Sequence, residues 1–395
     1  MVSLGYSAED EMEYRDYGWE QWPEFPWMSY QFRRALGETQ EGGGAVSECL
    51  RAASLMIPGD RESWYGEWKR IADHNREKAL RSESNGHYVT ARSCYLRACD
   101  YYRSAEFWLQ PDDPRRLSTF TLCEETFQAA SRYFVHRVEY VHIPYEDTFL
   151  PAYFIRSAYA PEKSPVLIAF GGLDSFKEEI YFMLGRGALE RGISCLLVDG
   201  PGQGASLRRQ KLITRYDYEV PVGACVDFLE SRQDVDLHKV ALSGSSLGGY
   251  YAVRAAAFEK RISACIAHGA QWNVGRDWRS RDDNHPLALH IRWVFGVENM
   301  KQACEKADSF NLEPVIKNLE APLLVIHGAK DMIGVQKAKE LYDGAISAGV
   351  NTKLVMVEPS ETGAEHCQHD NPTLAHEYVF DWLCEVWGIV QRYSQ

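Results

Sequence analysis

Ser246 stands in Gly244-Ser-Ser246-Leu-Gly248, the Gly-x-Ser-x-Gly spacing of a nucleophile elbow. The chemistry needs that spacing because a sharp strand-to-helix turn lifts the serine hydroxyl above the sheet, and any side chain at either glycine would collide with the opposing backbone. The flanks fit. Val240-Ala-Leu242 is a short apolar run that reads as a buried strand, and Leu247-Gly-Gly-Tyr-Tyr-Ala-Val-Arg-Ala-Ala-Ala257 reads as a helix. At that helix start the dipole and the free amide of Leu247 favour negative charge, so Ser246 is the candidate nucleophile and Leu247 a candidate oxyanion donor.

Two further residues complete a nucleophilic set. Asp331 follows the apolar run Leu323-Leu-Val-Ile326, and His366 follows Leu354-Val-Met-Val357. The order serine, acid, histidine, each in a loop after a strand, is that of the α/β-hydrolase fold. His366 is expected to take and return the serine proton, with Asp331 holding the imidazole in the right tautomer. His369 is the rival base, and His327, one residue before the turn, reads as structural. After Phe170 the bend Gly171-Gly-Leu-Asp-Ser175 places the amide of Leu173, or of Gly172, where a second oxyanion donor belongs. Asp199-Gly-Pro-Gly-Gln-Gly-Ala-Ser206 is glycine-rich but lacks the Lys-Ser/Thr ending and the Gly-x-Gly-x-x-Gly spacing, which excludes a nucleotide cradle.

The elements that must position these residues change character along the chain. Residues 1 to about 30 are acidic and aromatic, with Tyr17, Trp19, Trp22, Phe25 and Trp27 close together. These aromatics point to a homodimer contact. From about 46 to 134 apolar residues recur at helical spacing (Trp64, Trp68, Ile71; Tyr95, Ala98, Tyr102), and Pro111-Asp-Asp-Pro114 is read as the close of this helical part. At about 136 alternation begins: Val138 to Pro144 and Phe149 to Ile155 read as an antiparallel hairpin. Continuous apolar strands separated by helices then predict a mostly parallel sheet covered on both faces, in an α/β architecture with ligand beyond the carboxyl ends of the strands. The expected division is a helical N-terminal cap domain over 1–135 and a hydrolase domain over 136–395, with a lid insertion at about 270–320.

Composition narrows the partners. A net charge of −13 argues against nucleic acid and anionic membrane. No apolar run reaches the roughly 18 residues of a membrane span, and no secretory leader is legible at the start, so a cytoplasmic location is the default. The ten cysteines are scattered without a Cys-x-x-Cys pair, which implies reduced thiols, no metal site and no cofactor.

The wording of the motifs adds a resemblance. Phe170-Gly-Gly-Leu-Asp-Ser175, Asp199-Gly-Pro-Gly-Gln-Gly204, Ser246-Leu-Gly-Gly249 and Glu365-His-Cys367 are similar to the 2,6-dihydroxypseudooxynicotine hydrolase group, which carries a helical domain before the hydrolase. Gly248-Gly-Tyr-Tyr-Ala-Val-Arg-Ala-Ala256 and Ile266-Ala-His-Gly269 resemble the fungal yellowish-green pigment hydrolases, which shorten aromatic polyketides. The resemblance implies hydrolysis of a carbon-carbon bond next to a ketone in a small aromatic substrate. It also implies an assisting acid after the strand ending near His268, for which Asp277, Asp282 and Asp283 are candidates without a clean match. His268 reads equally as pocket lining or as satisfied core; with Asp174 and Trp272 it is a candidate for substrate contact. The same triad would serve a carboxylesterase, lactonase or thioesterase, and a ligand-binding protein on a hydrolase scaffold is the reading from another class.

Overall fold

The structure, a computed structural model, describes residues 20–390. Its centre is an eight-stranded sheet in the order β1-β2-β4-β3-β5-β6-β7-β8, built from β1 (Arg137–Tyr145), β2 (Thr148–Arg156), β3 (Ser164–Phe170), β4 (Ser194–Val198), β5 (Val235–Ser245), β6 (Ala264–His268), β7 (Leu323–Gly328) and β8 (Thr352–Val357). β1 and β2 form the antiparallel hairpin, closed by a turn in which Glu146 takes φ +48°. From β3 onward neighbouring strands are parallel, with β4 antiparallel only to β2. Parallel strands need crossovers, and these are helical.

Within the strands successive side chains enter different cores. Val166, Ile168, Leu242 and Val325 join one apolar cluster, while Leu167, Ala169, Ala241 and Leu324 join the other. That is the period-2 geometry of a strand buried on both faces. Five helices precede the sheet: α1 (Pro26–Gly37), α2 (Val46–Ala53), α3 (Arg61–Ser84), α4 (Tyr88–Glu106) and α5 (Pro114–Ser131). Asp60 caps α3 by accepting from the amides of Glu62 and Ser63. Pro114 does not close the helical part; it is the first residue of α5, with Asp113 as its cap, because a proline at that position loses no helical hydrogen bond. The aromatics of this part fill its own core: Trp68 is fully buried and stacks on Tyr101 at 5.5 Å. Trp22 packs edge-on against Phe32 and Trp64 and faces the core of this part. Tyr17 and Trp19 lie outside the described residues.

The remaining helices are α6 (Lys177–Ile180), continued through a π turn at Tyr181–Gly185 into α7 (Arg186–Glu190), then α8 (Gly204–Arg208), α9 (Glu219–Glu230), α10 (Leu247–Phe258), α11 (Val274–Trp278), α12 (Ala288–Phe295), α13 (Met300–Ala307), α14 (Gln336–Ser347) and α15 (Pro372–Trp387). α11 to α13 fall between β6 and β7, where the lid insertion is expected, and share a core with β5 and α10; the N-terminal helices share the other core. No described helix is long and apolar enough to cross a membrane.

Candidate active site

Because β3, β5, β7 and β8 run parallel, their carboxyl ends open at one edge of the sheet, and the loops after them bring Leu173, Ser246, Ile333 and His366 to one cavity. Ser246 has φ +59° and ψ −119°, a strained conformation for a residue with a side chain, and directly precedes α10. What imposes it is crowding. A Cβ at Gly244 would lie 1.8 Å from the Gly248 carbonyl oxygen, and one at Gly248 would lie 2.3 Å from that of Gly171. The Ser246 amide is held by the His268 carbonyl at 2.7 Å, which ties the elbow to β6.

His366 Nδ1 lies 2.8 Å from both carboxylate oxygens of Asp331. Burial opposes charge on the imidazole, but the Asp331 carboxylate outweighs it and holds the His366 pKa well above its ordinary value. Asp331 is correspondingly held low despite its burial. His369 also borders the cavity but among the described residues pairs with no carboxylate, and burial with the nearby Arg34 drives its pKa far down; the pairing with Asp331 falls to His366. His327 is fully buried with Nε2 3.4 Å from Asp331 Oδ2, in keeping with a structural place.

Of the expected oxyanion donors, Leu173 and Leu247 border the cavity, and Leu247 opens α10, where amides have no partner within the helix. Gly172 is corrected: its amide donates to Ser175 Oγ at 3.0 Å and is engaged. The glycine-rich loop acquires a role that its sequence did not disclose. Gln203 Nε2 donates to the carbonyls of Gly171 and Gly172 at 2.6 and 3.0 Å, clamping the turn that carries Leu173.

Three candidates for substrate contact separate. His268 does not border the cavity; it is buried, with Nε2 2.7 Å from Gln368 Oε1, and burial lowers its pKa to about 4, so it is a neutral core residue. Trp272 is corrected as well. It packs against α14, where a Cβ at Gly344 would meet its ring at 2.5 Å, and the preceding Gln271 takes the place at the cavity. Asp174 does border the cavity, but its carboxylate lies 3.0 Å from His290 Nδ1, 3.6 Å from Arg116 and 3.8 Å from Arg208. None of Asp277, Asp282 and Asp283 borders it: Asp277 pairs with Arg276, and Asp283 accepts from the Met300 amide at the start of α13.

The helical N-terminal part was expected to cap the site, but sequence reasoning named none of the residues with which it does so. Trp27, Tyr30, Gln31 and Arg34 of α1 and Phe107 wall the cavity, and the Tyr30 hydroxyl donates to the His366 carbonyl at 3.4 Å. The aromatic density of residues 17 to 27 was the available signal, and Trp27 was its useful member.

Fold and site together define an α/β hydrolase. Residues 56–274 match the family described as esterase FrsA-like, and residues 190–389 match the prolyl oligopeptidase family. The chain is 30% identical to the 20-hydroxy-prefusarin hydrolase of Gibberella moniliformis, over 92% of this chain and 97% of that protein. It is 37% identical to a hydrolase of Aspergillus aculeatus, over 91% and 96% respectively. Among solved structures the 2,6-dihydroxy-pseudo-oxynicotine hydrolase superposes with a TM-score of 0.76 at 24% identity, covering 90% of this chain and 95% of that one, which establishes a shared fold. The chain belongs to the FrsA-like family of α/β hydrolases.

Proposed function

We propose that this hydrolase cleaves a carbon-carbon bond next to a ketone in a small aromatic or polyketide molecule, with Ser246 as nucleophile. The observation that carries the reading is the cavity at Ser246 and His366, walled by Trp27, Tyr30, Phe107 and Trp278 and roofed by α1. Aromatic walls suit a flat substrate, and a roof excludes a protein chain. The name of the Gibberella relative, a hydrolase of 20-hydroxy-prefusarin, agrees with a small-molecule substrate.

His366 Nε2 takes the Ser246 proton as Oγ adds to the ketone carbon, and the amides of Leu247 and Leu173 receive the oxyanion. When the tetrahedral adduct collapses, the carbon-carbon bond breaks and its electron pair leaves with the departing carbon as an enolate or phenolic ring carbon. The imidazolium of His366 protonates that carbon. Water activated by His366 then releases the acyl group from Ser246 as a carboxylic acid. With no unpaired carboxylate among the described residues of the cavity wall, His366 is the proton donor to the departing carbon.

The match to a family described as an esterase favours a second reading, in which the same residues cleave an ester, lactone or thioester. Hydroxylated aryl 1,3-diketones matched to their ester analogues, with products followed by mass spectrometry, separate the two. Ketone cleavage that disappears in Ser246→Ala, with a loss of about a millionfold in kcat, is expected; turnover of esters alone would overturn the bond assignment.

A further inference from the structure

Among the described residues the charges that line the cavity are balanced, with one exception. Arg34 is paired with Glu179 at 2.8 Å and Glu38 at 3.4 Å. Asp174 is held by His290, Arg116 and Arg208. Arg281, in the loop between α11 and α12, borders the same cavity, and among the described residues no carboxylate lies within ion-pair distance of it and no group accepts a hydrogen bond from its guanidinium. The side chain lies over the ring of Trp278, 5.1 Å from its centroid, which stabilises the cation without neutralising it. It is half-buried, and burial pulls its pKa down to about 10, with Asp277 opposing only in part. A guanidinium drawn partly out of water without a counter-charge is an environment that a bound anion would complement.

We propose that Arg281 is the specificity-determining residue of the cavity, receiving through its planar fork a pair of substrate oxygens that share one negative charge, as in a carboxylate or the enolate of a 1,3-diketone. The geometry of the wall supports this class. Trp27 and Trp278 both border the cavity and offer apolar faces to a flat ring, while the fork of Arg281 can donate to two oxygens in one plane, a match that a lysine ammonium cannot reproduce. His285, whose ring meets Trp27 edge-on at 6.0 Å, lies near enough for Arg281 to help burial depress its pKa, so it stays neutral and adds no competing charge. Arg281 also borders a second, more open cavity with Asp282, Asp283 and Glu305, and an arginine serving only that surface would show no ligand preference at the catalytic cavity.

The inference rests on the small-aromatic-substrate reading above but not on the bond cleaved, and its test is a binding measurement. Titration calorimetry compares 4-phenylbutanoate with 4-phenylbutanamide, and 1-phenyl-1,3-butanedione below and above its ionisation, on the wild type, Arg281→Gln and Arg281→Lys, with thermal unfolding as the folding control. The wild type is expected to prefer the acid to the amide by about 10- to 100-fold, the worth of hydrogen bonds to a charged group. Arg281→Gln should erase the preference, and Arg281→Lys should recover only part of it. The same loss for the ionised diketone would identify an enolate as the anion; loss confined to the acid would identify a carboxylate. Equal binding of acid and amide by the wild type, or an acid preference that survives in a folded Arg281→Gln, would overturn the assignment. Absence of Ser246-dependent ketone cleavage beside an intact acid preference would remove the carbon-carbon reading and leave the anion site standing.

Discussion

Cys367 Sγ lies 3.6 Å from His366 Nε2, the ring nitrogen opposite the one that meets Asp331 and the one a serine nucleophile must reach. The thiol is placed there by a backbone turn in which Cys367 has φ +54° and ψ +28°, a left-handed conformation that side chains disfavour. Glycine adopts it freely, whereas a β-branched residue does not. Cys367→Gly should therefore keep kcat close to the wild type, while Cys367→Val should lose about 1 to 3 kcal/mol of stability. Thermal unfolding of the two variants checks this; a Val variant as stable as the wild type would show that the turn is not strained.

The His366–Asp331 pair gives a pH dependence with a definite sign. A base must be neutral, and the Asp331 carboxylate holds the His366 pKa well above 6.5. Activity should fall as pH drops through that raised value. Asp331→Asn removes the charge that raises it, so the acidic limb of kcat/KM should move to lower pH while kcat drops by about 10⁴. For stability the sign is opposite: a raised folded-state pKa contributes stability that is fully present below the unfolded value of about 6.5 and is lost as pH rises through the folded value. Profiles of kcat/KM and of the denaturation midpoint against pH test both signs.

Gln203 offers a test of the glycine-rich loop. It touches the oxyanion turn through two carbonyls and does not border the cavity. Gln203→Leu should loosen the Leu173 amide and lower kcat by up to about 10² to 10³, the worth of an oxyanion donor, with KM little changed. A change confined to KM would contradict a positioning role.

Asp174 joins the turn after β3 to α12 through His290 and to α5 through Arg116. Burial opposes its charge, but His290, Arg208 and Arg116 outweigh it and hold its pKa down at about 2. Asp174→Asn leaves buried cations without a counter-charge and should cost about 3 to 5 kcal/mol, read from the denaturant midpoint. The contribution of the native carboxylate is present above its unfolded pKa of about 3.9 and disappears as pH falls through the folded value. The Asn variant should therefore show a flatter stability profile between those limits.

The parts legible in the chain were those whose signal is local. The nucleophile elbow is written in two glycines that crowding demands, the strands in apolar runs, and the serine-acid-histidine order in the loops after β5, β7 and β8. A strand periodicity cannot say which loop residue turns inward. His268 ends β6 and Trp272 lies just beyond it, yet one turns to Gln368 and the other to α14, and only Gln271 between β6 and Trp272 reaches the cavity. Likewise, the ion pairs that neutralise Asp174 and Arg34 join residues far apart in sequence, from Arg116 to His290 and from Glu38 to Glu179, and with them was decided which charge stays open. By itself the sequence determined the strands, the turn that strains Ser246 and the loops in which Asp331 and His366 stand, because each is written in a local run of residues. The tertiary structure alone decided which residues of α1 reach the cavity, that Gln203 clamps the turn carrying Leu173 and that, among the described residues, no carboxylate pairs with Arg281. Those outcomes depend on which distant side chains are brought within a hydrogen bond of one another, and no local spacing encodes that.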